Sequence, residues 1–535
     1  MSERFDITTI DIGVLLAYLV LSRIIPLVLA PKGSGAEEDA SADYFLGGRN
    51  FIWPFVGLSL VATNMSGATY VGLAGAGYAQ GISVFAYEWM TSVILVVFIF
   101  FLLPFYLRSG VFTLPEFLSK RFDVRSQLTF AAFNLFANMF IDMAAALYAG
   151  GVVVQVLFPV IPLWISIAVL ATLAAVYTIF GGLGAVMISD SIQATLTLIG
   201  GAVVFFVVLS RIPSWEAVSE QAGEGKMSLI LPADNPDLPW PGLITGVLVI
   251  GLYYWTTNQL VVQRTLGARS LDHGRWGSLF AGFVKLSFLF FFILPGTFAI
   301  LLYPNIESPD LIFPTIVFET FPIGLRGMML AAIIAAITST VDSILNSAST
   351  VVTMDFVKTF RPNTSQRGLV TIGRFATVGA LIVAIIWAPT IASFETLYGY
   401  LQSILSYTVP PIVATFLFGI MWTRITATAA FVTLAGMIPL GILMFILGPV
   451  TGLVLANIQF LYFAGLLFAS SVIVLIGVSM LGERPSREKT DGLTWEPRYW
   501  REETEELRGK PVLLNYRFLS IVMVVSTFVI VYIFR

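Results

Sequence analysis

Five ionisable side chains interrupt stretches that are otherwise apolar: Glu88, Asp142, Asp190, Lys285 and Asp342. A charge at the centre of such a stretch costs roughly 2.5–3.5 kcal/mol by the gentler scales, so it is kept where it meets a cavity, an ion or a partner. Glu88 and Asp190 lie near the ends of their stretches, where snorkelling or capping would also account for them. Asp142 and Asp342 are central, and Lys285 is about two turns in; a buried ion pair, for instance Asp142 with Lys285, is their structural alternative. A carboxylate such as Glu88 accepts hydrogen bonds and an ammonium such as Lys285 donates them, so either can meet the polar groups of a solute. Aromatic rings crowd the same places, at Tyr87, Trp89 and Tyr253–Trp255, and hydroxyls cluster at Thr338, Ser339 and Thr340. Neutral hydroxyls and carbonyls suit a small hard cation and release it readily; the same hydroxyls also serve as glue between helices. Catalysis has little to work with. There is no cysteine, and the single histidine, His273, sits among Arg269, Asp272 and Arg275, which excludes thiolate chemistry and argues against a histidine metal centre or a Ser–His triad.

These groups need a scaffold made for lipid. Of 535 residues 57% are hydrophobic and 11% charged, against roughly 45–50% and 25% in soluble chains. The bilayer is therefore the expected medium. The net charge of −3 offers no footprint for nucleic acid. Apolar blocks predict about fourteen spans, near 10–30, 52–77, 83–107, 127–156, 160–180, 185–210, 242–263, 277–303, 326–357, 369–390, 396–421, 425–447, 453–481 and 516–534. Blocks of this length do not suit barrel strands of roughly ten residues, so the expected fold is an all-α polytopic bundle. Met1–Asp11 lacks the features of a cleaved signal, and the first stretch is expected to remain as an anchor. With the N-terminus outside, inside loops hold 22 Lys and Arg and outside loops five. Both termini are thus expected on the extracytoplasmic side. The inside loop 482–515, with "TWEPRYWREETEELRG", reads as a surface helix under the bundle.

Two spans are interrupted. "VATNMSGATY" (61–70) runs into "GLAGAGY" (72–78), and "GLYYWTTNQ" (251–259) breaks a second apolar run. Unwound backbone is tolerated at membrane depth only where it lines a cavity, and paired breaks at matching places of two inverted repeats mark the solute site of a secondary transporter. Counted from the second span, the breaks fall in helices one and six of a ten-helix core. That spacing predicts repeats over 52–210 and 242–421, one extra helix before them and three in 425–535. Close packing around glycines is the alternative for either break alone.

The motifs "ADYFLGGRN", "ATNMSGATYVGLAGAGY", "AYEWM", "TLPEFLSKRF", "GGLGAVMISDSIQ", "LYYWTTNQLVVQRTL", "AAITSTVDSILNSASTVVTMDF" and "GYLQSILSYTVPPI" together resemble the sodium/solute symporter family, in order and over nearly the whole chain. The resemblance is to its sugar-transporting members, bacterial sodium/galactose and animal sodium/glucose symporters. It implies a LeuT-type five-plus-five inverted repeat, no cofactor beyond a coupling sodium ion, and no enzymatic activity. Sodium would be held by the carbonyls of Ala62, Met65 and Ala336 and the hydroxyls of Ser339 and Thr340. Solute residues carry over at Asn64, Tyr87, Glu88, Lys285 and Gln402, with Tyr254 as the inner aromatic gate; Leu73 and Tyr398 match the outer gate in character only.

Three positions depart from the galactose-transporting pattern: Thr69 replaces a glutamine, Gly251 an asparagine and Thr91 a serine. Losing two amides removes readers of solute hydroxyls, and a missing hydrogen bond to a buried hydroxyl costs much selectivity. The resemblance then implies a sugar or related polyol as the solute, with galactose itself disfavoured. An amino acid or organic acid is the alternative solute, and a sensor or channel the alternative class. Asp190 in "ISDSI" matches an aspartate of relatives that carry two sodium ions. With Asp342 and Ser343 in "TSTVDS" the resemblance implies a second cation site, since two carboxylates close together in low dielectric need a cation or shared proton between them. The alternative is an Asp342 that hydrogen-bonds a neighbouring helix or faces a wet inner cavity.

Overall fold

The computed structural model describes residues 8–29, 40–65, 68–158, 160–223, 225–306, 309–393, 397–451 and 458–535, apart from the side chains of 19, 23, 27, 40–42, 68, 155–157, 174–182, 310, 332, 335, 336, 339, 392, 393, 397–400 and 448–451. Among the described residues the chain is helical, with two isolated β-bridges and no strand. Among the described residues nine helices are long and apolar enough to cross a membrane. A tenth span results if Leu401–Thr408 and Pro410–Met421, bent by 50°, are taken as one. The bend falls where Pro410 and Pro411 withdraw backbone donors. Apolar side chains point outward as lipid contacts should, among them Phe375, Ile473 and Phe528.

The remaining expected spans differ for identifiable reasons. Those at 52–77 and 242–263 are divided by their breaks into shorter helices. The stretch 326–357 contains helix Leu325–Thr350, whose 26 residues reach about 39 Å at about 1.5 Å each. The pair expected at 160–180 and 185–210 is one run of helix, Leu163–Leu209, of which Leu183–Leu209 has the length and composition of a span.

Each break has a local cause. Helix Trp53–Asn64 stops at Met65, which leaves the helical region at φ −80°, ψ 82°, and the Thr69 hydroxyl donates to the Asn64 carbonyl at 3.0 Å across the gap. The second break follows a widened turn at Tyr253–Thr257; Asn258 is extended at φ −74°, ψ 121°. Its side chain then accepts from the Leu260 amide at 2.9 Å, capping the next helix, Gln259–Leu266. Helix Leu271–Leu286 packs tightly against Trp53–Asn64. A Cβ on Gly57 would sit 2.8 Å from the Gly277 carbonyl oxygen, and one on Gly277 2.8 Å from Val56 Cβ. Small residues are what allow this approach.

The charged segment does form a surface helix, Pro497–Leu507. It is anchored through Glu503, which lies 2.6 Å from Arg275 and accepts from the Tyr516 hydroxyl at 2.7 Å. The Arg517 guanidinium lies over Trp500 at 3.7 Å from its ring centre.

Candidate functional site

Both breaks open onto a cavity of about 150 Å³. From the first broken span come Asn64, Thr69 and Leu73; from the helix after it, Ala86–Val97, come Tyr87, Glu88 and Thr91. The second broken span contributes Gly251 and Tyr254, and helix Leu397–Thr408 contributes Gln402. Thr340 borders the same space from helix Leu325–Thr350. Residues far apart in sequence therefore meet around one void of a size suited to a small solute.

Lys285 stands behind this wall rather than in it. It is fully buried, its Nζ lies 2.5 Å from Glu88 Oε2, and it donates to Asn64 Oδ1. The Phe288 ring takes its remaining face at 3.8 Å. The ammonium thus holds one carboxylate and one amide that both border the cavity. The pairing of Lys285 with Asp142, the structural alternative read from the sequence, is replaced by this one.

Two of the residues that read as departures have distinct local roles. The Thr69 hydroxyl spans the helix break, and the Thr91 hydroxyl donates to the Tyr87 carbonyl at 3.1 Å. Gly251 is not an empty space: a Cβ there would come within 2.4 Å of Ile94 Cδ1. An amide side chain at 251 would have to displace Ile94, so the apolar side chain occupies part of the room an asparagine would take.

The first cation candidates converge at the break. Thr340 Oγ1 lies 3.5 Å from the Met65 carbonyl oxygen, long for a hydroxyl hydrogen bond. Oxygens at right angles around a hard cation, each at roughly 2.3–2.6 Å as around Ca²⁺, stand roughly 3.3–3.7 Å apart. The Ala62 carbonyl accepts the Met65 amide at 3.1 Å as the helix ends. Ala336 and Ser339 fall on helix Leu325–Thr350 but their side chains lie outside the described residues, as does that of Tyr398 on Leu397–Thr408.

The second candidate set contains a group that hydropathy misassigned. Arg264, counted with the inside loop, is wholly buried on helix Gln259–Leu266. Its guanidinium is 3.7 Å from Asp190 Oδ2, and its Nε donates to Thr63 Oγ1 at 3.2 Å. Asp190 also accepts from the Ser59 hydroxyl at 2.6 Å, and the Asp342 charge acts on the same arginine. Ser343 Oγ is buried with no hydrogen-bond partner. The signal available in the sequence was the motif itself, "NQLVVQRTL", in which one arginine ends an amphipathic turn.

The Sodium:solute symporter family profile matches residues 44–438. Bovine sodium/myo-inositol cotransporter 2 (Bos taurus) is 34% identical over 91% of this chain and 79% of its own length. Zebrafish sodium/glucose cotransporter 4 (Danio rerio) is 30% identical over 94% and 83%. A solved Na⁺-coupled sialic acid symporter in a substrate-bound, outward-open state superposes with a TM-score of 0.76 at 22% identity, covering 90% of this chain and all of that one. That likeness gives the bundle its LeuT-type architecture. With a profile over most of its length and relatives matched over more than nine-tenths of this chain, this multi-pass membrane protein belongs to the sodium:solute symporter family.

Proposed function

We propose that the protein is a sodium-coupled symporter that imports a sugar or related polyol by alternating access. The observation that carries this is the cavity at two helix breaks, bordered by Glu88, Asn64 and Gln402 and backed by the Glu88–Lys285 pair. Neutral and charged polar groups of this kind bind hydroxyls, and the ring of Tyr254 offers a face to a sugar or cyclitol. The names of the relatives, cotransporters of myo-inositol and glucose with sodium, support the same solute class. In this reading Asn64, Thr69, Tyr87, Glu88, Thr91, Gly251, Lys285 and Gln402 form the solute site, Lys285 by positioning its neighbours. Leu73 and Tyr398 close it outward and Tyr254 inward.

Sodium binds between Ala62, Met65, Ala336, Ser339 and Thr340, where the 3.5 Å spacing of Thr340 and Met65 oxygens supports a shared ion. A second cation binds at Asp190, Asp342 and Ser343. The charges of both carboxylates act on Arg264, which lies 3.7 Å from Asp190, and the Ser343 hydroxyl, buried with no hydrogen-bond partner, offers a further oxygen to a monovalent ion. The repeats run over 52–210 and 242–421, and both termini face the extracytoplasmic side. Radiolabelled polyol uptake into proteoliposomes with and without a sodium gradient tests the reading. Gradient-dependent accumulation is expected; sodium-independent flux, or none for any polyol, would overturn it.

A further inference from the structure

Asp142 is the carboxylate that the site as described leaves without employment. It borders the same cavity as Glu88 and sits in a widened helical turn, Ala137–Met143, a kind of irregularity that recurs at functional sites. Among the described residues three other carboxylates of the bundle have partners of their own: Glu88 with Lys285, Asp190 with Ser59 and Arg264, Asp355 with Thr113 and Gln127. Among the described residues Asp142 makes no hydrogen bond and no ion pair; its charge falls on the phenols of Tyr253 and Tyr254. A carboxylate at membrane depth has to be met by something, and among the described residues no cation pairs with it.

We infer that Asp142 reads the solute, accepting hydrogen bonds from hydroxyls at a part of the cavity that Glu88 does not serve, and that it sets the charge the solute must have. The inference rests on the polyol reading above. Glu88 is matched by Lys285, so among the described residues Asp142 is the carboxylate bordering the cavity without a cationic partner. An occupant that offers donors gains from it, and an occupant with its own carboxylate is repelled. The geometry therefore selects a neutral solute with hydroxyls on more than one edge of its ring and excludes sugar acids. It also compensates for the two amide readers absent at Thr69 and Gly251, since a carboxylate offers acceptors for two hydroxyls.

The test is sodium-driven uptake of myo-inositol in proteoliposomes, with competition by its monodeoxy analogues and by glucuronate, for wild type, Asp142→Asn and Asp142→Ala. In wild type at least one deoxy analogue should compete roughly tenfold to a hundredfold less well than the parent, the range for a lost charge-assisted hydrogen bond. In Asp142→Ala that analogue and the parent should compete equally, and in the isosteric Asp142→Asn glucuronate should begin to compete. A purely structural aspartate would weaken parent and analogues in parallel, and that result, or unchanged affinity in both variants, overturns the inference alone. Failure of wild type to take up any polyol overturns the reading on which it rests.

Discussion

Removing Lys285 should damage the protein more than removing the carboxylate it pairs with. The Nζ lies 2.5 Å from Glu88 Oε2, with side-chain exposures of 0% and 10%, so the ammonium cannot turn to water and the carboxylate meets little beyond the cavity it borders. In Lys285→Ala the Glu88 carboxylate loses its one ionic partner among the described residues, and Asn64 Oδ1 loses the ammonium that donates to it. Breaking a buried pair in this way costs about 3–5 kcal/mol. In Glu88→Gln the ammonium keeps Asn64 Oδ1 and the Phe288 ring at 3.8 Å. A desolvated cation over a ring retains about 2 kcal/mol, so this variant should lose correspondingly less. Replacing both, Glu88→Gln with Lys285→Met, removes both charges and should recover most of the stability while leaving uptake impaired. The assay is the half-life of the monodisperse transporter in detergent at a fixed elevated temperature, alongside solute competition. The order expected is wild type, then the double variant and Glu88→Gln, then Lys285→Ala. Additive losses in the double variant, or a Lys285→Ala protein as durable as wild type, would refute the assignment of Lys285 as the group that holds Glu88 in place.

Other outcomes follow from the cation sites and the surface helix. Thr340→Ala and Ser339→Ala should each raise the sodium concentration for half-maximal uptake several-fold, since each removes one of about five oxygens; unchanged sodium dependence in both would displace the site. Reversal-potential measurements should give two cations per solute in wild type and one in Asp342→Ala, whereas a ratio of one in both would remove the second site. Glu503→Gln should shorten the detergent half-life by unpairing Arg275, which lies 2.6 Å away and 4.0 Å from the Tyr516 ring centre. A half-life equal to wild type would show that the helix Pro497–Leu507 docks through its aromatic contacts instead.

The breaks were legible in the sequence because they are written in composition: polar and small residues at 61–70 and 251–259 cannot sustain a helix against lipid, and the chain opens at Met65 and Asn258. Span counting was less secure for the same reason, because a broken span no longer has the length by which spans are recognised. Pairing was the least legible. Hydropathy could say that Asp142, Lys285 and Glu88 were all in the wrong solvent, but choosing the partner of Lys285 depends on which helices cross at which height. That height is set by the Gly57–Gly277 approach, which fixes helix Leu271–Leu286 against Trp53–Asn64 and so delivers the ammonium to Asn64 and Glu88. Arg264 is the sharper case. An arginine at the end of an apolar run is normally assigned to the aqueous loop, and the assignment fails here because the break at Asn258 restarts the helix inside the bundle. The break that opens the solute cavity thus also carries a permanent positive charge to Asp190. A substitution at Asn258 that shifted this break would be expected to disturb Tyr254, which borders the cavity, on one side and Arg264, beside Asp190, on the other, ten residues apart along the chain.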